Sequence, residues 1–204
     1  MLLFLDVISP IPEIFVIEDN KVIFRRKILN NESEKLSDFI FETYLDINNK
    51  LNLTKNLKKL ALTIGPGSYT SLRVGAAFMA GLKLSKDLEF CPISIENIYK
   101  YKSFSNDLDN TIFYIMSSKG QNFICYINKQ KKTEYIKLDD NKYKIQNNIK
   151  KIFYNFNMYS YIDREIAQEK FSFIDEVLEN IEKLKFMKDI IINPIYISNN
   201  KILN

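Results

Sequence analysis

Histidine and tryptophan are absent from the 204 residues, glycine and proline occur five times each, and cysteine twice. Without histidine a Ser-His-Asp triad is impossible, and the commonest general base at neutral pH and the commonest zinc ligand are both missing. Cys91 and Cys125 stand in no metal-type spacing, and two cysteines in a chain this long make no disulfide framework. A reducing compartment is the simplest reading. The opening stretch Met1 to Ser9 is apolar but short, has no basic leader and is interrupted by Asp6. It reads as neither a signal peptide nor a membrane span, so the chain is expected in the cytoplasm. Charge of one sign is also scarce. The net charge of +4 permits contact with an acidic partner such as RNA but falls short of the Lys/Arg stripe of an autonomous nucleic-acid binder. Lys129 to Lys132 and Lys150-Lys151 read as solvated faces.

What is present is an ordinary globular composition, 46% hydrophobic and 26% charged, with abundant Phe and Tyr to fill a core. The length suits one large domain or two small ones. Apolar runs at Leu2–Ile8, Glu13–Ile17 and Lys21–Leu29 read as strands, with Asp19-Asn20 as a tight turn. Leu36, Phe39, Ile40, Ile47 and Leu51 recur at helical spacing, Phe41 and Tyr44 widen that stripe, and Asn31 with Glu34 suits a capping box before it. Leu57–Ile64 is a strand, Tyr69–Lys86 a helix, Phe90–Ile95 a strand and Glu96–Lys102 a short helix. The second half is less regular. Strands are expected at Thr111–Met116, Asn122–Asn128, Glu134–Leu138, Met158–Ile162 and Pro194–Ile197, and helices at Ile145–Phe153 and Phe173–Leu184. No internal repeat is visible in the sequence.

Four of the five glycines, Gly65, Gly67, Gly75 and Gly81, fall in one stretch, "TIGPGSYTSLRVGAAFMAG". Gly65-Pro66-Gly67 lies between a strand and a helix. Glycine there permits a positive φ or close backbone approach. Ser68 and Thr70 can cap the helix, and its free N–H groups favour an anion. The stretch lacks the Gly-Lys-Ser/Thr ending of a P-loop, and Thr70 replaces the last glycine of a dinucleotide fingerprint. Gly65, Gly67, Ser68 and Thr70 are therefore either weak nucleotide or anion ligands or a plain tight turn. In the helix, Gly75, Ala76, Ala77, Ala80 and Gly81 give a smooth face, although glycine costs about 1 kcal/mol relative to alanine there. Such a face suits close approach of another backbone, either the chain's own sheet or a second chain.

These residues carry a resemblance. "LALTIGPGSYTSLRVGAAFMAGL" is similar to the signature of the bacterial TsaB (YeaZ) family, through Gly65-Pro66-Gly67-Ser68-Tyr69-Thr70 and Leu72-Arg73-Val74-Gly75, with Ser71 where that family has glycine. Looser echoes are "LLFLD", "PISIENI", Lys119-Gly120-Gln121 and "NPIYIS". The departures are Val7-Ile8-Ser9 where the family has Thr-Ser, and Ser198 where it ends in Arg. The resemblance implies an α/β, actin-like and Hsp70-like (ASKHA) fold of two lobes, residues 1–103 and a smaller, degenerate 104–204. It further implies a non-catalytic subunit in synthesis of the threonylcarbamoyladenosine (t6A) modification of tRNA. Such a subunit pairs with a catalytic TsaD-type paralogue that holds the metal, is joined by a TsaE-type ATPase, and meets tRNA through the complex. No cofactor or metal of its own is implied, ATP or ADP belonging to the complex. The helix after the glycine turn is the implied partner interface, through Leu72, Arg73, Gly75, Ala76, Phe78, Met79, Gly81 and Leu82. On that reading Gly75→Leu would abolish the pairing and leave the isolated chain folded. A homodimer through the same helix is plausible when the chain is alone.

The chemistry of the residues agrees with a partner rather than an enzyme. After Gly120 no glycine remains for a second phosphate loop or an adenosine pocket, and Asp6 alone is a poor magnesium site. A stand-alone ATP-dependent kinase or ATPase, with phosphate held at Gly65, Gly67, Ser68 and Thr70, is the alternative. Direct tRNA contact through the basic second half is a third, and would weaken steeply with salt.

Overall fold

A computed structural model of the chain describes residues 1–31, 33–103, 110–128, 132–138, 148–156, 166–189, 191–198 and 201–203. Leu2–Asp6 (β1) is buried along its whole length, as a continuous apolar run should be when both faces of its sheet are covered. The hairpin Glu13–Glu18 (β2) and Lys21–Lys27 (β3) follows, its turn made by Asp19 and Asn20 at positive φ. Then come Leu36–Leu51 (α1), the short Leu53–Asn56 (α2), Lys59–Thr63 (β4), Tyr69–Lys86 (α3), Glu89–Ile93 (β5) and Ile95–Ser103 (α4). The first sheet is ordered β3-β2-β1-β4-β5, antiparallel through the hairpin and parallel from β1 to β5.

The second half repeats this plan. Thr111–Met116 (β6), Asn122–Ile127 (β7) and Thr133–Leu138 (β8) form an antiparallel meander, and Lys151–Tyr154 (β9) and Ala167–Lys170 (β10) add parallel to β6. The order β8-β7-β6-β9-β10 matches β3-β2-β1-β4-β5 position for position. The repeat is topological, which is why no repeated sequence announces it. The second lobe is reduced in helix rather than in sheet: among the described residues it has only Phe173–Glu179 (α5) and two single-turn 3-10 helices. Tyr196–Ser198 (β11) and Lys201–Leu203 (β12) pair as a small hairpin.

One continuous apolar core joins both sheets, from Leu3 and Leu5 of β1 to Phe113, Phe123 and Phe153 of the second sheet and Phe173 and Val177 of α5. Tyr99 of α4 contacts Phe113, which stacks on Phe153 and meets Phe171 edge-on. Such ring pairs add about 0.5–1.5 kcal/mol each beyond the area they bury. Lys102 of α4 bonds Glu176 of α5 at 2.6 Å, both side chains being largely buried. Residues 186–189 and 191–198 return to the first lobe as a strap: Met187 bridges Phe90 of β5, and Ile195 bonds Ile64.

Several expectations are corrected. Asn31 and Glu34 do bond each other, and Glu34 accepts from the Asn30 amide at 2.7 Å, but α1 begins only at Leu36, with Lys35 at its N-cap and no side-chain cap. The helix expected over Ile145–Phe153 is instead strand β9 from Lys151, while 141–147 lie outside the described residues, as does the strand expected at Met158–Ile162. The helix expected to run to Leu184 stops at Glu179 and continues as a 3-10 turn.

Candidate functional site

The topological repeat sets the ends of β1 and β6 at equivalent places, and the turn after each faces the other across Gly65 to Ser71. Asp6 ends β1. Its buried carboxylate accepts from the amides of Ile8 (3.0 Å) and Ser9 (3.3 Å) and from the hydroxyls of Ser9 (2.5 Å) and Thr63 (3.1 Å). Thr63, at the end of β4, accepts in turn from the Val7 amide at 2.9 Å. Burial raises the Asp6 pKa from its ordinary value, against the pull of Ser9, Ile8 and Thr63. The carboxylate thus fixes its own turn, using up the amides that a phosphate would need.

The opposite turn is equally committed. Asn155 brackets the end of β6, accepting from Met116 N and donating to Met116 O. This positions Ser117, whose Oγ accepts the Ser68 amide at 2.9 Å, and Ser118, whose Oγ lies 3.0 Å from that of Ser71. Gly67 is pressed between the two turns: a Cβ there would lie 3.2 Å from Ser117 Oγ and 3.5 Å from Ile8 Cγ1. Gly65 has φ +122°, and a Cβ would meet the Ile195 carbonyl oxygen at 2.6 Å, so glycine is required by conformation and by space. The peptide Gly65-Pro66 is cis.

The structure therefore brings Gly65, Gly67 and Ser68 together, but against Ile195, Ser117 and Ile8 of the same chain, while Thr70 stands exposed. The Ser68 amide and the Ser71 hydroxyl, two of the groups an anion at this turn would use, are paired within the chain to Ser117 and Ser118. The described residues include no group of three or more His, Cys, Asp or Glu side chains suited to a metal. Sequence reasoning missed Thr63, Ser117, Ser118 and Ile195. Its available signal was hydroxyl residues directly at the ends of two buried apolar strands.

The helix face expected to dock a partner is divided. Leu72, Gly75 and Met79 are buried in the chain itself. A Cβ on Gly75 would meet Val7 Cγ1 at 2.8 Å and Leu62 Cδ1 at 3.2 Å, so this glycine serves close packing on β4 and on the residue just after β1. Val74, Ala76, Phe78 and Leu82 are half-buried, and Phe78 packs edge-on against Tyr44 of α1. Only Arg73 and Gly81 of the named residues are exposed; a Cβ on Gly81 has nothing within 4 Å. Arg73 lies over the Tyr69 ring, which touches Tyr196 of the strap. On α1, Phe41 and Leu45 are 60% and 40% exposed. They form an i,i+4 pair; the sequence pattern had placed Phe41 on the helix's apolar stripe and had not singled out Leu45.

Residues 31–193 match the family described as TsaD: tRNA N6-adenosine threonylcarbamoyltransferase. Among solved structures, YeaZ from Pseudomonas aeruginosa is similar, with a TM-score of 0.62 at 12% identity, over 96% of this chain and 99% of that one. A second, a crystal structure described as an uncharacterized protein with similarity to peptidase YEAZ from Pseudomonas aeruginosa, has a TM-score of 0.58 at 12% identity over 97% and 99%. No curated protein matches in sequence. The two-lobed fold is thus shared with YeaZ along nearly the whole chain. No helix among the described residues is long and apolar enough to cross a membrane.

Proposed function

The chain belongs to the TsaD: tRNA N6-adenosine threonylcarbamoyltransferase family, and from that premise we propose that it is a non-catalytic member, an accessory subunit that supports t6A synthesis by pairing with a TsaD-type paralogue. The observation that carries this reading is the filled cleft: Ser68 and Ser71 bond Ser117 and Ser118, Asp6 holds the Ile8 and Ser9 amides, and Ile195 covers Gly65. A phosphoryl- or acyl-transferring member of this fold needs those donors free for its substrate. The stand-alone ATPase reading is disfavoured for the same reason, since the donors of this turn are already paired among the described residues.

Pairing is supported by the α1–α3 seam. Phe41 and Leu45 of α1 offer apolar surface that the chain leaves in water, and Gly81 of α3, nearly one turn beyond Phe78, is open. Exposed aromatic and aliphatic side chains grouped in this way suit an anchoring cluster. The paralogue supplies the catalytic groups, with ATP or ADP, the TsaE-type ATPase and the tRNA meeting this chain only through the complex.

The test is co-purification of the full chain with the paralogue from its own genome. Phe41→Asp with Leu45→Asp should weaken the pairing by roughly a hundredfold, which is about 2.7 kcal/mol, with the isolated chain's melting temperature unchanged because both side chains are exposed. Undiminished pairing would reject the seam. Micromolar ATP binding by the isolated chain in calorimetry would reject the non-catalytic reading.

A further inference from the structure

The first sheet is covered at one edge and open at the other. At β5 the strap pairs Met187 with Phe90. At β3 no strand among the described residues pairs on the outer side. The register fixes which backbone groups that edge presents. Arg26 stands opposite Ile14 and Lys27 opposite Glu13, and the Ile28 amide continues the ladder by donating to the Pro12 carbonyl at 2.9 Å. In an antiparallel pair alternate residues turn their N–H and C=O toward the neighbouring strand. Ile28 and Arg26 therefore face β2, and Arg25 and Lys27 turn theirs outward. Unpaired amides and carbonyls in such a row are a template for a further strand. The bulge that shifts the register between Val16 and Ile17 confines the regular part of this template to the half of β3 after Ile23.

The side chains decide which strand fits. β3 holds Lys21, Arg25, Arg26 and Lys27 and no acidic residue. Arg26 turns to Asp46 of α1 at 2.7 Å. Arg25 and Lys27 alternate onto the opposite face and are exposed. Arg25 bonds Glu13 through Nε and Nη2, and its side chain is still 60% exposed. Lys27 forms no salt bridge among the described residues. A second copy of β3 is a poor occupant. Antiparallel pairing through these groups sets Arg25 against Lys27 twice, in-register parallel pairing stacks each cation on itself, and like charges directly opposite are destabilising. We propose that the Arg25–Lys27 edge accepts an extended acidic segment of a partner protein as a further strand of the five-stranded first sheet, with two carboxylates two positions apart opposite Arg25 and Lys27. The assignment rests on this edge alone and does not depend on the pairing at the α1–α3 seam.

The experiment places a photo-crosslinking p-benzoylphenylalanine at Ile23, which is 42% exposed, in the full chain in its own cells, and maps the adduct by mass spectrometry. The expected adduct is one protein, joined through a segment with two carboxylates at a spacing of two. Its yield should fall roughly tenfold with Lys27→Glu, which sets like charges opposite each other, and return when the facing carboxylate is changed to lysine. The backbone is read separately. Lys27→Pro removes only an outward-facing N–H, which an edge strand tolerates, so circular dichroism should stay unchanged while the yield falls further than with Lys27→Gln, which keeps that amide. Should Lys27→Pro unfold the chain, the charge reversal and its rescue decide alone. Any of these results would overturn the proposal: no adduct, an adduct to RNA, lipid or a second copy of the chain, a yield indifferent to Lys27→Glu, or equal yields for folded Lys27→Pro and Lys27→Gln.

Discussion

Gly75 and Gly81 stand six positions apart on one helix and answer to opposite demands. A methyl on Gly75 lands 2.8 Å from a branched carbon of Val7, which has no room to rotate away, whereas a methyl on Gly81 meets only solvent. Alanine in either place gains about 1 kcal/mol of helix propensity. At Gly81 nothing offsets that gain, so Gly81→Ala should raise the melting temperature by about 2–4 °C, the shift typical per kcal/mol at this chain length. At Gly75 overpacking costs about 1–3 kcal/mol, so Gly75→Ala should lower it and Gly75→Leu lower it further, all read by thermal circular dichroism of the isolated chain. The expectation that Gly75→Leu would spare the isolated fold is thereby reversed: the clash is with the chain's own Val7 and with Leu62 of β4, and lost pairing in that variant would report damage rather than an interface. Equal melting temperatures for the two alanine variants would contradict the packing argument.

Among the elements, α4 and α5 are tied by the one largely buried ion pair of the described residues, Lys102–Glu176, with Glu169 at 3.6 Å from the same ammonium and Lys151 beyond it. Burial by itself would depress Lys102, but the Glu176 carboxylate and, further off, Glu169 hold its pKa above the ordinary lysine value. A folded-state pKa raised in this way contributes stability that is complete below the unfolded pKa, near 10.4, and is lost as pH rises through the folded value. Urea unfolding followed from pH 8 to 11 should therefore show an alkaline loss in the wild type that is smaller in Lys102→Met/Glu176→Leu. The single Lys102→Met should cost about 3–5 kcal/mol at pH 7, because it strands a buried carboxylate, and the double variant should recover most of it. Equal slopes for wild type and double variant would remove the pair from the account. The elements themselves differ in how far the sequence declares them. Helix α3 was legible to its ends, and β1 to β8 to within two residues at each end, because apolar period and turn residues agree there. β9 was not: its four residues adjoin Asn- and Lys-rich sequence, and parallel pairing with β6 and β10, a long-range contact, decides its state. The cleft was half legible. The Gly-Pro-Gly turn is local and readable, but what fills it, Ser117, Ser118 and Ile195, comes from far along the chain, and no local pattern encodes that meeting.

For the whole molecule the decisive feature is that two sheets of equivalent topology share one core. The turns between them are bonded to each other, Ser68 to Ser117 and Ser71 to Ser118, and Phe113, Phe153 and Phe173 continue the packing begun by Leu3 and Leu5. The two cysteines happen to report on the two halves. Cys91 lies in β5 and Cys125 in β7, both buried and both in that core. Burial pushes the Cys91 thiol up to about 11 and Cys125 well above its ordinary value. Since the thiolate is the reactive form, neither should react with a disulfide reagent at pH 7.5 in the native state. With lobes that open or melt separately, one thiol would become reactive before the other as denaturant rises. A shared core predicts instead that both are exposed at the same midpoint, coincident with loss of circular dichroism, as a single two-state transition. Quantifying each labelled cysteine by mass spectrometry across a urea series decides between them. Two separated midpoints would show that the lobes are independent bodies, and would reopen the cleft as a place where a ligand could enter.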